Sequence, residues 1–238
     1  MERLTFSPHV INVYGFCGRA VMSEFANGPQ RLGTITDKAR KRPLKRLEIA
    51  RDIARGLSHV HFGQGEVNAT LVHLDVNPAN MVVVDNALKF NDFNIAIMLK
   101  KNATSGSTCG FPAQFPNPQW RSPEEVNEHS NLDEKVDVFS LGHILFRMIC
   151  GHEPWNKLEV TGRPSSVTLR QKVKAGILPR IPAQIMNTRV PEVQVIRDAM
   201  LACYTVNPDE RPSSKEIADF LDRHLSKLAN GEGYVLGT

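Results

Sequence analysis

From Leu44 to His61 apolar residues recur at every third or fourth position. Leu47, Ala50, Ile53, Ala54, Leu57 and Val60 form the series, with Arg46, Glu48, Arg51, Asp52 and Arg55 falling between them. That period predicts an amphipathic helix with one apolar face. Gly63, Gly65 and Asn68 break the pattern. Two short apolar runs follow, Met81 to Val84 and Leu88 to Phe90, joined by Asp85-Asn86-Ala87, and they predict a hairpin. Val136 to Ile149 is so apolar that it predicts a helix buried nearly all round. Ahead of the first helix, Val10 to Tyr14 and Ala20 to Phe25 read as short strands separated by Gly15 and Gly18. Residues 101–124 show no period and carry four prolines, and a loop of that length inside a compact domain is usually functional. The remainder is helical in character, interrupted near Pro179, Pro182, Pro191 and Pro208. Strands first and helices afterwards make an α+β fold.

Composition narrows the class. The chain has 238 residues, 41% hydrophobic and 23% charged, which excludes a disordered or collagen-like chain. The net charge of +4 is too small to argue for nucleic acid, so no nucleic-acid partner is expected. Cys17, Cys109, Cys150 and Cys203 are scattered without a CxxC spacing, which argues against a disulfide framework or structural zinc and fits a reducing compartment. Two glycosylation triplets, at Asn68 and Asn102, carry little weight beside that. The start of the chain has no signal-peptide pattern, and no stretch approaches the ~18–20 apolar residues of a membrane span. The expected location is cytoplasmic, which includes the cytoplasmic part of a longer membrane protein. Six basic residues lie between Lys38 and Arg46, and they read as a solvated helix start. The alternative is an acidic-partner or nuclear-localisation patch.

Candidate chemistry centres on the predicted hairpin. Before it stands His73-Leu74-Asp75-Val76-Asn77-Pro78-Ala79-Asn80, and directly after it Asn91-Asp92-Phe93-Asn94. Asp and Asn punctuate turns, so either segment alone reads as turn chemistry. Together they say more. A hairpin folds the chain back on itself and returns Asp92 close to Asn80, so Asp75, Asn80 and Asp92 could share one site. Such oxygen ligands suit Mg²⁺ held together with substrate phosphates.

These segments resemble the eukaryotic protein kinase family. His73-Leu74-Asp75 followed by Asn80 is similar to the H-R-D-x-x-x-x-N catalytic loop, and Asp92-Phe93-Asn94 to D-F-G. Ser122-Pro123-Glu124 resembles A-P-E. Asp137 to Gly142 resembles D-V-W-S-L-G, and Asn207 to Pro212 resembles the late D-P-x-x-R-P motif. Val21 to Gly28 resembles the hinge that holds adenine, and the matches fall in the family's order from about Ser7 to Leu225. The resemblance implies a protein-kinase-like fold: a short remnant of the small β-lobe and hinge at 1–28, the helical large lobe at 29–228, and a tail at 229–238. It implies ATP and Mg²⁺ as cofactors and a protein substrate. Asp75 and Asn77 would be the catalytic residues, Asp75 orienting the substrate hydroxyl. Asn80 and Asp92 would hold the metal. Ser23 would be a small gatekeeper, the backbones of Glu24 and Ala26 would bond adenine, and Val82 would pack below its ring. His73 and Phe93 would join a hydrophobic column. Asp137 would brace the catalytic loop, and Glu124 would pair with Arg211.

The departures from the pattern are specific. No glycine-rich loop, V-A-I-K lysine or partner glutamate can be placed, so the chain reads as beginning inside the small lobe. A partner protein over that open face is expected. Leu74 replaces the arginine of H-R-D, Asn77 the basic residue two after the aspartate, and Asn94 the glycine of D-F-G. Thr104, Ser105, Ser107 and Thr108 are candidate phosphorylation sites, although loops are rich in such residues. The reading is a kinase transferring the ATP γ-phosphate to Ser or Thr. The alternative is a pseudokinase scaffold. A small-molecule phosphotransferase also carries H-x-D-x-x-x-x-N, but Ser122-Pro123-Glu124 and Arg211 speak against it.

Overall fold

The structure, a computed structural model, describes residues 4–18, 20–27, 32–85, 87–104, 106, 108–114, 118–155 and 166–234. Gly28 of the hinge-like segment, Asn86 of the hairpin turn, Ser105, Ser107 and positions 235–238 of the tail lie outside the described residues, as does the side chain of Lys38.

Helix α1 (Leu32–Ala39) leads into α2 (Pro43–Phe62), which begins on a proline in its first turn, where the missing N–H costs nothing. It ends at Gly63, whose φ of 53° suits a residue without Cβ. The predicted apolar face of α2 is buried, Leu47, Ala50, Ala54 and Leu57 completely. It packs against α7 (Pro191–Cys203) and α8 (Ser214–Ala229). Helix α4 (Lys135–Cys150) is buried except at Lys135, Arg147 and Cys150, as its composition predicts. A Cβ on Gly142 would stand 2.9 Å from the Tyr204 ring, so α4 and α7 approach closely only because that side chain is absent. Three short helices, α3 (Pro123–Val126), α5 (Ser166–Lys174) and α6 (Ala183–Met186), complete the helical part.

The strands form three two-stranded sheets among the described residues. The first is a hairpin, β1 (Val13–Cys17) with β2 (Ala20–Ser23). It sits later than the expected strand at Val10 to Tyr14. Val10 instead bridges Phe90, and β2 stops before Glu24. Both faces of this hairpin are largely exposed, so no alternation of polar and apolar residues marked its bounds. β3 (Leu71–Val72) pairs with β6 (Ile97–Met98). β4 (Met81–Val84) pairs with β5 (Ala87–Phe90), as the sequence predicts.

Two buried ionic groups tie these parts together. Asp137, 1% exposed, accepts the backbone N–H groups of His73 at 2.6 Å and Leu74 at 2.9 Å, with His61 Nε2 at 3.0 Å. A buried carboxylate is stable only when so many donors replace water. Glu124 meets Arg211 at 2.6 and 3.2 Å, fully enclosed, while Arg211 also donates to the Thr205 and Lys135 carbonyls.

Candidate active site

The pairing of β4 with β5 assembles the site. Met81 lies opposite Phe90, so Asn80 and Asn91 face each other just beyond, and the Asn91 N–H donates to the Asn80 carbonyl at 2.9 Å. Asp92 is the next residue. Asn80 Nδ2 donates to the Asp75 carboxylate at 2.6 Å and to its carbonyl at 2.9 Å. Asp75, Asn80 and Asp92 are thereby gathered at one end of the hairpin. Because its Nδ2 is engaged by Asp75, Asn80 has Oδ1 left to offer a cation. The Asp92 carboxylate is exposed and has no hydrogen bond or ion pair among the described residues. Two such oxygen donors match the way Mg²⁺ is held, by one or two protein groups with phosphates and water filling the rest. Among the described residues no cluster of three or more His, Cys, Asp or Glu forms an all-protein metal cage.

The backbone here is unusual. Leu74 and Asp92 both have φ of 62° without being glycine. Such left-handed residues persist only where the surroundings over-determine them, and they gather at functional sites. Asn94 is not among the left-handed residues, so the freedom a glycine would bring to that position is not used in this structure. The left-handed conformation falls on Asp92 instead.

His73 is completely buried. Its Nε2–H donates to the Asn91 carbonyl at 3.1 Å, and its Nδ1 accepts the Asp75 N–H at 3.2 Å. Burial holds its pKa below the ordinary value, so the ring is neutral. Its ring lies 4.6 Å from that of Phe93, the contact expected of the hydrophobic column. Asn77 is engaged within the loop. Its Oδ1 caps the short 3₁₀ turn Pro78–Asn80 by accepting the Ala79 N–H at 2.8 Å, and its Nδ2 donates to the Asp75 carbonyl at 3.2 Å. That is turn-capping work, and the side chain expected to be catalytic serves the loop's shape.

The hinge-like segment runs beside β4. The Asn27 N–H donates to the Val83 carbonyl at 3.0 Å, next in sequence to half-buried Val82. The Glu24 N–H is engaged by the Asn12 carbonyl at 3.0 Å, so Glu24 can offer a ligand only its carbonyl. Ser23 stands exposed at the end of β2. One feature escaped sequence reasoning. The Glu24 carboxylate turns inward to Lys89 Nζ at 2.8 and 2.9 Å and to the Asn12 amide at 2.7 Å. Burial pushes its pKa up, but Lys89 and Asn12 outweigh that and hold it below the ordinary range. The pair joins the hinge-like segment to β5 across 65 residues of sequence, a separation at which no local pattern signals a contact.

A sequence model described as "Protein kinase domain" matches residues 1–223. The chain belongs to the protein kinase family. Several kinases are similar along most of it. Mitogen-activated protein kinase kinase kinase 7 of Bos taurus is 29% identical over 232 residues, 94% of this chain. Dual specificity protein kinase pyk3 of Dictyostelium discoideum is 26% identical over 230 residues, 93% of this chain. MAP kinase kinase kinase mkh1 of Schizosaccharomyces pombe is 27% identical over 172 residues, 71% of this chain. The matched parts span 36%, 15% and 14% of those proteins' own lengths. The α+β architecture described above is that of this kinase domain. No described helix is long and apolar enough to cross a membrane.

Proposed function

We propose that this kinase domain transfers the γ-phosphoryl group of ATP to Ser or Thr hydroxyls of a protein. The observation that carries the reading is the convergence of Asp75, Asn80 and a free, left-handed Asp92 at one end of the β4–β5 hairpin. In this reading Asp75 accepts the proton of the substrate hydroxyl as its oxygen attacks the γ-phosphorus. The bond to the bridging oxygen breaks and ADP leaves. Asn80 Oδ1 and the Asp92 carboxylate hold Mg²⁺, which offsets phosphate charge when bound. The Glu24 carbonyl and the Ala26 backbone receive adenine, Val82 packs below it, and Ser23 lines the back. Asn77 shapes the loop rather than acting on substrate. Residues 29–228 form the large lobe, 1–28 the hinge with the edge of the small lobe, and 229–238 a tail. Ser/Thr preference draws on the Asn77-Pro78 step in the loop and on Ser/Thr kinases among the relatives. The four cysteines are unpaired, which supports a cytoplasmic setting. Tyr14, Phe16, Val21, Met22 and Phe25 are exposed around the first hairpin, Phe25 by 86%, and we assign that surface to a covering partner polypeptide.

A second reading, a scaffold that binds proteins without catalysis, is favoured by Leu74, which stands where the family's catalytic loop has an arginine. The test is purified chain with ATP, Mg²⁺ and separate Ser, Thr and Tyr peptide pools. Transfer to Ser and Thr peptides that Asp75→Asn abolishes supports the first reading. No transfer at all supports the second. Transfer that survives Asp75→Asn contradicts the assignment of Asp75.

A further inference from the structure

The segment from His73 to Asn80 carries no cation: positions 74 and 77 are Leu and Asn, and the His73 ring is neutral. The Asp75 carboxylate is nevertheless not left alone. Arg121, on the segment leading into α3, brings Nη2 to 3.6 Å from Asp75 Oδ1. Its side chain is nine-tenths enclosed. The guanidinium is fixed from other sides too. Nη1 donates to the Leu74 carbonyl and lies 3.4 Å from Glu125 Oε1. Glu125 is itself fixed, because its other oxygen accepts the Ser122 N–H at 2.9 Å and the Ser122 hydroxyl at 3.0 Å. Leu74 is thus held at both ends, its N–H by Asp137 and its carbonyl by Arg121, with the left-handed backbone between them. The planar fork meets a carbonyl and two carboxylates from separate nitrogens held in fixed geometry, whereas a lysine would have to reach all three from one point.

We propose that Arg121 is the positioning cation of this site, supplying from outside the catalytic loop the charge that opposes Asp75. The inference rests on the kinase reading, in which Asp75 sits beside the γ-phosphoryl group. Two anionic groups brought that close repel, and in a partly enclosed site the repulsion is felt strongly. A guanidinium at the carboxylate lets Asp75 keep its place without driving the γ-phosphate away. ADP, which lacks that phosphate, is indifferent to the arrangement. The relation of ATP to ADP affinity therefore reports the role of Arg121, where a merely structural role would move both together.

The experiment is an equilibrium titration of the full 238-residue chain with Mg·ATP and Mg·ADP. Arg121→Gln should weaken ATP about tenfold and ADP by no more than about twofold. Asp75→Asn added to Arg121→Gln should restore ATP affinity, because the unopposed carboxylate is gone. Asn77→Lys added to Arg121→Gln should restore it too, by placing a cation within the loop. Should Arg121→Gln not fold, Asp75→Asn alone decides the matter. It leaves Arg121 facing the phosphate and should tighten ATP relative to ADP. A wild-type chain that binds both nucleotides, with a ratio unmoved by these changes, overturns the inference alone. A wild-type chain that binds neither contradicts the kinase reading and takes the inference with it.

Discussion

Glu125 and His143 are both enclosed, and their titrations act on stability in opposite directions. Burial pushes the Glu125 carboxyl up to about 7 from an ordinary 4.5, against the pull of Arg121 and the Ser122 donors. The folded chain then holds more protons than the unfolded one between those values. This contribution is therefore present at low pH and is lost as pH rises through that window. Burial drives His143 down to about 3 from an ordinary 6.5. There the unfolded chain binds the extra proton, so stability is lost as pH falls from 6.5 towards 3. From 4.5 to 6.5 the two oppose each other. Glu125→Gln keeps the geometry of a capping box and removes one of them. Urea unfolding of this variant should show a steeper loss of stability on acidification from about pH 7 to about pH 5 than wild type. Identical profiles would contradict the raised pKa. At this scale the sequence said which residues lie together and little about their geometry. Asp75, Asn80 and Asp92 were legible because motif spacing and a hairpin bring them together. Arg121 was not, because nothing local in a sequence tells that it reaches a carboxylate 46 positions earlier.

Among the elements, the enclosed pair of Glu124 in α3 with Arg211 ahead of α8 ties segments 87 positions apart. Arg211→Leu would leave Glu124 enclosed without its counter-charge, and the expected loss is about 3–5 kcal/mol. Adding Glu124→Gln should recover part of that loss. Full recovery is not expected, since Arg211 also satisfies the Thr205, Lys135 and Val206 carbonyls. A double variant no more stable than the single one in urea unfolding would show that the stranded charge is not the cause. The helices and the β4–β5 hairpin could be read from the sequence, because each buries one face and so carries a period. The first hairpin was misplaced by a few residues for the converse reason: strands exposed on both faces impose no alternation.

At the largest scale, Asn80 and Asp92 in the proposed reading grip the phosphates of ATP from one side. The 238-residue sequence offers no glycine-rich loop and no lysine–glutamate pair to hold them from the other. Phosphoryl transfer depends on positioning and charge stabilisation, and both weaken where water has access. A deficit of about 4 kcal/mol slows the reaction about a thousandfold. We therefore expect this chain by itself to phosphorylate peptides at least about a thousandfold more slowly than an ordinary kinase at about 10 s⁻¹. Turnover within about tenfold of that value, and dependent on Asp75, would contradict the view that these groups are needed. At the centre of the proposed reading, Asn80 and Asp92 hold a divalent cation against the phosphates of a nucleotide. Calorimetric titration of the chain with ATP, with and without Mg²⁺, tests it most directly. The account predicts that Mg²⁺ strengthens ATP binding to wild type, that Asp92→Asn abolishes the Mg²⁺ effect, and that Asn80→Ala reduces it less. Equal Mg²⁺-dependent binding by wild type and Asp92→Asn would contradict it.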